Sequence, residues 1–266
     1  MSCGPTATMV HRYPMAHAFV QAEKCPFLYA RATGNSEGLR RAAIRILKEC
    51  FVEKFQKIGG VAAILEAACY IIGFCVFIFF LDPPSYLEPV KSVEFLIDNE
   101  ALMLSAMTII YIFAAIVLLI LVLALHERLK AAMPMMMTTA TAWGVIWVGI
   151  VVASGMIFIT GSQTVIALYA VDPERAGTIW LAVGVIQDAL GGGIELVGGI
   201  WILLISLIAL RAGAFPKLLN YLGLILGVAG ILSVVPLFID LVAVFGLGQI
   251  IWFIWIGMIM ITKHHS

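Results

Sequence analysis

The sequence predicts an all-α fold, a polytopic membrane helix bundle of six transmembrane helices preceded by an amphipathic helix. Three observations predict it. Apolar residues make up 62% of the chain and charged residues only 12%, against about one quarter charged in soluble domains. Six segments reach the length of about 20 mostly apolar residues that a bilayer crossing needs. Fourteen of the sixteen lysines and arginines then fall on one side of those six segments, the distribution that marks a cytoplasmic face.

Residues 1–36 read as an irregular cytoplasmic leader without the apolar core of a secretory signal peptide. In it, Cys25-Pro26-Phe27 resembles the haem regulatory Cys-Pro motif. A Cys25 thiolate would bind ferric haem, with His11 or His17 as second ligand. A chance Cys-Pro dipeptide is the competing reading. Residues 37–57, "EGLRRAAIRILKECFVEKFQK", put Leu39, Ala43, Ile46, Cys50 and Phe51 on one side and arginines elsewhere. This pattern fits an amphipathic juxtamembrane helix on the inner leaflet, where basic side chains meet anionic headgroups. A cytosolic helix packed on the inner loops fits it equally.

The bundle proper covers 58–262, with spans at 58–81, 101–125, 135–160, 178–210, 218–239 and 242–262, and a cytoplasmic tail at 263–266. Between the first two spans, "DPPSYLEPVKSVEFLIDNE" carries five acids, one lysine and three prolines that stop a helix, which reads as an acidic outer cap. Arg128 and Lys130 mark one inner turn, and Arg211 and Lys217 another. Both termini are therefore expected in the cytoplasm.

Three acids interrupt the apolar spans. On a helix, Gly184, Asp188, Gly191, Gly192, Glu195 and Gly199 share one face, next to Gln187 and Gly193. The first span places Glu66 and Tyr70 on a comparable stripe of small residues, and Gln249 adds an amide in the last span. A carboxylate facing lipid costs about 2.5–3.5 kcal/mol on insertion scales, so these acids should turn inward. The glycines should let helices pack closely there. One reading is a proton- or cation-linked site, with the glycines breaking the fourth span into half-helices. The other is hydrogen bonding and packing alone.

The remaining chemistry narrows the function classes. The net charge is zero, so nothing points to nucleic acid. Cys3, Cys25, Cys50, Cys69 and Cys75 form no CxxC pair, and no metal site is expected. No histidine lies within a span, and no nucleotide-binding or catalytic-triad signature is present. The sequence therefore favours a role in binding or transport over an enzyme. An accessory subunit is the alternative, held to other membrane subunits through the leader, the acidic loop and the aromatic "IIWFIWIGMIM".

Residues 57–262 resemble an uncharacterised bacterial family of small six-span integral membrane proteins known only as a domain of unknown function. The strings that carry the resemblance include "KIGGVAAILEAACYIIGF", "TATAWGVIWVGIVVASGMI", "LGGGIELVGGIWILLIS" and "LRAGAFPKLLNYLGLILGVAGILSVVP". It implies six helices in the bacterial inner (plasma) membrane and carries over no activity.

Overall fold

The computed structural model describes residues 36–79 and 88–262. Cys25, His11 and His17, with the rest of the leader, and residues 263–266 lie outside the described residues. The chain divides into two units, residues 1–53 and 54–266. In the first, Ile44, Leu47 and Phe51 are exposed apolar residues, and Arg41 pairs with Glu37 at 3.4 Å.

Helix α1 (Ser36–Phe79) joins the two segments that the sequence separated at 57/58. No proline falls between them, and the pair Gly59-Gly60 does not interrupt the backbone ladder. In the second unit this glycine pair serves packing. A Cβ on Gly60 would lie 2.8 Å from the Gly257 carbonyl, and one on Gly257 would lie 2.8 Å from the Gly60 carbonyl.

The acidic loop contains more structure than its prolines suggest. Pro89 does not end a helix. It begins α2 (Pro89–Asp98) at the first turn, where the missing N–H costs nothing. Ser92, Val93 and Leu96 turn inward from α2. A Cβ on Gly177 would lie 2.9 Å from the Pro89 carbonyl carbon, so glycine is what lets α2 settle against the sixth helix.

The expected second span is α3 (Glu100–Met107), a π-helical turn (Thr108–Phe113) and α4 (Ala114–Leu129). Ser105 and Thr108 each donate a hydroxyl hydrogen bond of 2.7 Å to a carbonyl four residues back, at Ala101 and Leu104. Such back-bonding competes with the amide ladder at the point where the wider turn inserts.

Helix α5 (Pro134–Tyr169) has 36 residues and α6 (Pro173–Ala212) has 40. Asp172 caps α6 by accepting from the Arg175 N–H at 3.1 Å, and Gly213 ends it at φ 62°. Gly191, Gly192 and Gly193 do not break α6, because its helical assignment runs through them. The expected pair of half-helices is thereby corrected. Glycine lowers helix propensity by only about 1 kcal/mol per residue, which a packed helix absorbs.

Helix α7 (Lys217–Leu232) has 16 residues, a 3₁₀ turn follows at Pro236–Phe238, and α8 (Leu241–Thr262) closes the chain. Among the described residues, five helices are long and apolar enough to cross a membrane. The chain is a multi-pass membrane protein on that ground. The fifth of the six expected segments, α7, is shorter than a span requires, at about 24 Å for its length.

Charge separates the two ends of the bundle. At one end the Arg128 guanidinium lies 4.9 Å over the Phe215 ring, and Arg211 Nη1 comes 3.8 Å from Met136 Sδ. These contacts bring both basic turns together. At the other end the Tyr169 hydroxyl donates to Glu94 Oε1 at 2.7 Å, and Lys91 pairs with Glu88 at 2.8 Å. The hydrogen bond it donates to Glu88, then the charge of that carboxylate, pushes the Lys91 ammonium above its ordinary pKa.

Length decides what lies beyond the bilayer. At about 1.5 Å per residue, α6 runs roughly 60 Å, whereas the hydrocarbon layer is about 30 Å thick. Even a tilt of about 40° lengthens the crossing to only roughly 40 Å. With Arg211 held at the basic interface, the excess emerges at the acidic end. There α2 and α3 pack on α5 and α6 through Val93, Leu96, Met103, Met107, Phe158, Val165 and Ala176. A separate core around Trp147, Trp201 and Trp252 occupies the spanning region, with ring centroids 5.5 and 5.9 Å apart.

Candidate functional site

A cavity of about 690 Å³ opens where the acidic-end cap meets the spanning bundle. Its wall takes Ser92, Phe95 and Leu96 from α2, Met103 and Met107 from α3, and Tyr111 from the π-helical turn. Phe158 comes from α5, Trp180, Gln187, Asp188 and Glu195 from α6, and Ser233 from the end of α7. The π-helical turn lies at the height where Tyr111 joins this wall. Among the described residues, no lysine or arginine lines the cavity.

The α6 face predicted from the glycine spacing divides into two halves with different surroundings. Gly199 packs against α7 backbone to backbone. A Cβ there would lie 2.9 Å from Gly227 O and Ile231 N. Gly184 lies on the cavity wall, and nothing stands within 4 Å of where its Cβ would be. Glu195 is half-buried at the boundary between these halves, and Asp188 is exposed on the cavity wall.

The exposed position of Asp188 corrects the expectation of three fully buried acids. The reason is length. Counted from Arg211, Glu195 lies about 24 Å along α6 and Asp188 about 35 Å, so in a hydrocarbon layer roughly 30 Å thick Asp188 falls near the acidic-end boundary and Glu195 deeper. An acid at the water boundary needs no inward partner.

Glu66 differs from both. It is 2% exposed, among Ala62, Ala63 and Ala67, and its Oε1 has no hydrogen-bond partner among the described residues. Tyr70, one turn along α1, lies within electrostatic range of both Glu66 and Glu195. Tyr111 lies within range of Glu195 and Asp188. Two tyrosines therefore lie near the acids expected from the sequence, and of these Tyr111 was missed. Its polar tip in an otherwise apolar span was the available signal.

Gln187 is tied to the wall by its Nε2, which donates to Ser154 O at 3.2 Å. A second cavity of about 400 Å³ lies alongside and shares Glu195, Ile239 and Val242 with the first. Tyr70, Asp240, Phe245 and Gly246 complete most of its wall. Gln249 lies one helical turn beyond Phe245 on α8. It is fully buried, and neither amide atom has a partner among the described residues.

The indole nitrogens of Trp147, Trp201 and Trp252 and the Ser206 hydroxyl are buried in the same region without partners among the described residues. Nothing in their residue types pointed to a site, since tryptophan in a span reads first as core or as interface anchor. Gly198 was also missed. Its would-be Cβ meets the Trp147 ring at 2.8 Å, so it packs beside Gly199 on the adjoining face.

Among the described residues, no three His, Cys, Asp or Glu side chains are grouped so as to hold a metal ion. Chemically, the site offers carboxylates, an amide and tyrosine hydroxyls above an aromatic and thioether wall. Comparison with known protein families, with characterised proteins and with solved structures finds no match.

Proposed function

We propose that this membrane protein binds a small solute in the cavity walled by Asp188 and Glu195, and that binding or passage is linked to a proton or another cation. One observation carries the reading. The cavity of about 690 Å³ brings two carboxylates into a mostly apolar wall that has, among the described residues, no basic side chain to pair with them. Acids inside the membrane or at its edge that lack a protein counter-ion are placed to exchange a proton or to take a cation.

The orientation belongs to the same proposal. The basic end faces the cytoplasm with both termini, and the acidic cap faces outward, as the bias of lysine and arginine supports. The resemblance to the six-span bacterial family supports an inner-membrane setting for the chain.

The test is reconstitution into liposomes that enclose a pH-sensitive dye, with a potassium diffusion potential imposed by valinomycin. Wild-type protein should pass protons, with a rate that depends on external pH. Glu195→Gln and Asp188→Asn should each lower that rate strongly while leaving the yield of folded protein unchanged. Equal rates in all three proteins, or no flux in the wild type, would refute the reading.

A further inference from the structure

The walls of the larger cavity also select a class of solute, an inference that rests on the binding role proposed above and deepens it. We infer that the cavity accepts an organic cation with an apolar body, such as a substituted ammonium or phosphonium, in place of a bare metal ion, an anion or a polyol.

The charged groups on the wall are of one sign, and Ser92, Tyr111, Trp180 and Ser233 add neutral polar atoms. Asp188 and Glu195 carry negative charge or accept hydrogen bonds, and Gln187, whose Nε2 is committed to Ser154 O, leaves its Oε1 as a further acceptor. Anions are disfavoured by this lining, since among the described residues no guanidinium or ammonium lines the wall.

The rest of the surface is hydrophobic and polarisable. Phe158 and Trp180 meet edge to face at 5.6 Å between centroids, and Phe95, Met103, Met107 and Tyr111 extend the same wall. Aromatic faces attract a cation through the ring quadrupole. Thioethers adapt to irregular apolar shapes. A polyol would leave most of its hydroxyls unpaired against such a wall.

A dehydrated metal ion fits poorly too. Six to eight oxygen ligands suit calcium and six suit magnesium, and no cluster of three His, Cys, Asp or Glu is formed among the described residues. The volume, about 690 Å³, falls in the range of about 300–1,000 Å³ that holds drug-sized molecules. The surrounding charge points the same way. Glu88, Glu94, Asp98, Glu100, Asp172 and Glu174 belong to the acidic end where the cavity lies. Their field raises the local concentration of cations.

A pair of probes of the same shape and opposite charge tests the inference. Radiolabelled tetraphenylphosphonium and tetraphenylborate are equilibrated with the full chain in nanodiscs, and binding to protein-free nanodiscs is subtracted. Tetraphenylphosphonium should bind saturably, and Asp188→Asn and Glu195→Gln should each weaken it by roughly tenfold or more. Trp180→Ala, which leaves both acids in place, should also weaken it. Tetraphenylborate should not saturate.

Equal binding of the two probes overturns the inference, as does a tetraphenylphosphonium affinity that neither acid variant changes. Lack of saturation by either probe, the behaviour of a cavity filled by bilayer lipid, overturns it as well. If the phosphonium fails while proton flux still depends on Glu195, the solute class is wrong and the proton-linked role survives. If it binds as expected while proton flux is absent, the class is right and the coupling to protons is wrong.

Discussion

Replacing Gly199 by alanine would put a Cβ 2.9 Å from Gly227 O and Ile231 N and 3.0 Å from Gly230 C. All three are backbone atoms of α7, so no side chain can rotate away and the two helices must separate. The contact is reciprocal. A Cβ on Gly227 would lie 2.9 Å from Gly199 O, and one on Gly230 would lie 2.7 Å from Glu195 O. Overpacking of this kind costs about 1–3 kcal/mol, while alanine regains up to about 1 kcal/mol of helix propensity. The expected net loss is about 0–2 kcal/mol, the difference of the two effects.

Gly184→Ala on the same helix supplies the control, because nothing lies within 4 Å of its would-be Cβ. It should gain about 0.5–1 kcal/mol from propensity alone. Thermal unfolding of both variants in one detergent, followed by circular dichroism, measures the pair. Two variants of equal stability would refute the argument that backbone contact, and not glycine content, organises this face.

Two further outcomes follow from other parts of the bundle. Gln249→Leu removes a buried amide that has no partner among the described residues and keeps most of its volume, so stability should rise by about 1–3 kcal/mol. A fall in detergent unfolding temperature would show that the amide is paired in the folded protein. For orientation, Lys130→Cys and Glu174→Cys, each made in a chain whose native cysteines are replaced, should react from opposite sides of intact spheroplasts with a membrane-impermeant maleimide. Glu174→Cys should be labelled from outside, and reaction of Lys130→Cys there would reverse the orientation proposed.

How far the sequence reached can be followed element by element. Apolar length and the clustering of Arg128, Lys130, Arg211 and Lys217 determined an all-helical membrane bundle with basic turns, because hydrocarbon imposes composition directly on any segment that crosses it. Helical periodicity placed Asp188, Glu195 and the glycines on one face, since angular position depends only on residue spacing. Gly199 was legible as a packing residue for the same reason.

Depth and neighbours were decided by the tertiary structure. Hydropathy does not fix where a 40-residue helix sits along the bilayer normal. That depends on contacts at its ends, here Arg211 with Met136 and Gly177 with Pro89, which place Asp188 on an exposed wall and leave Glu195 half-buried. The cap formed by α2, the widened turn carrying Tyr111 and the edge-to-face pair of Phe158 and Trp180 bring together residues distant in the chain. Local pattern sets which way a side chain leaves its own helix, whereas a cavity exists only once several helices have packed and left space between them.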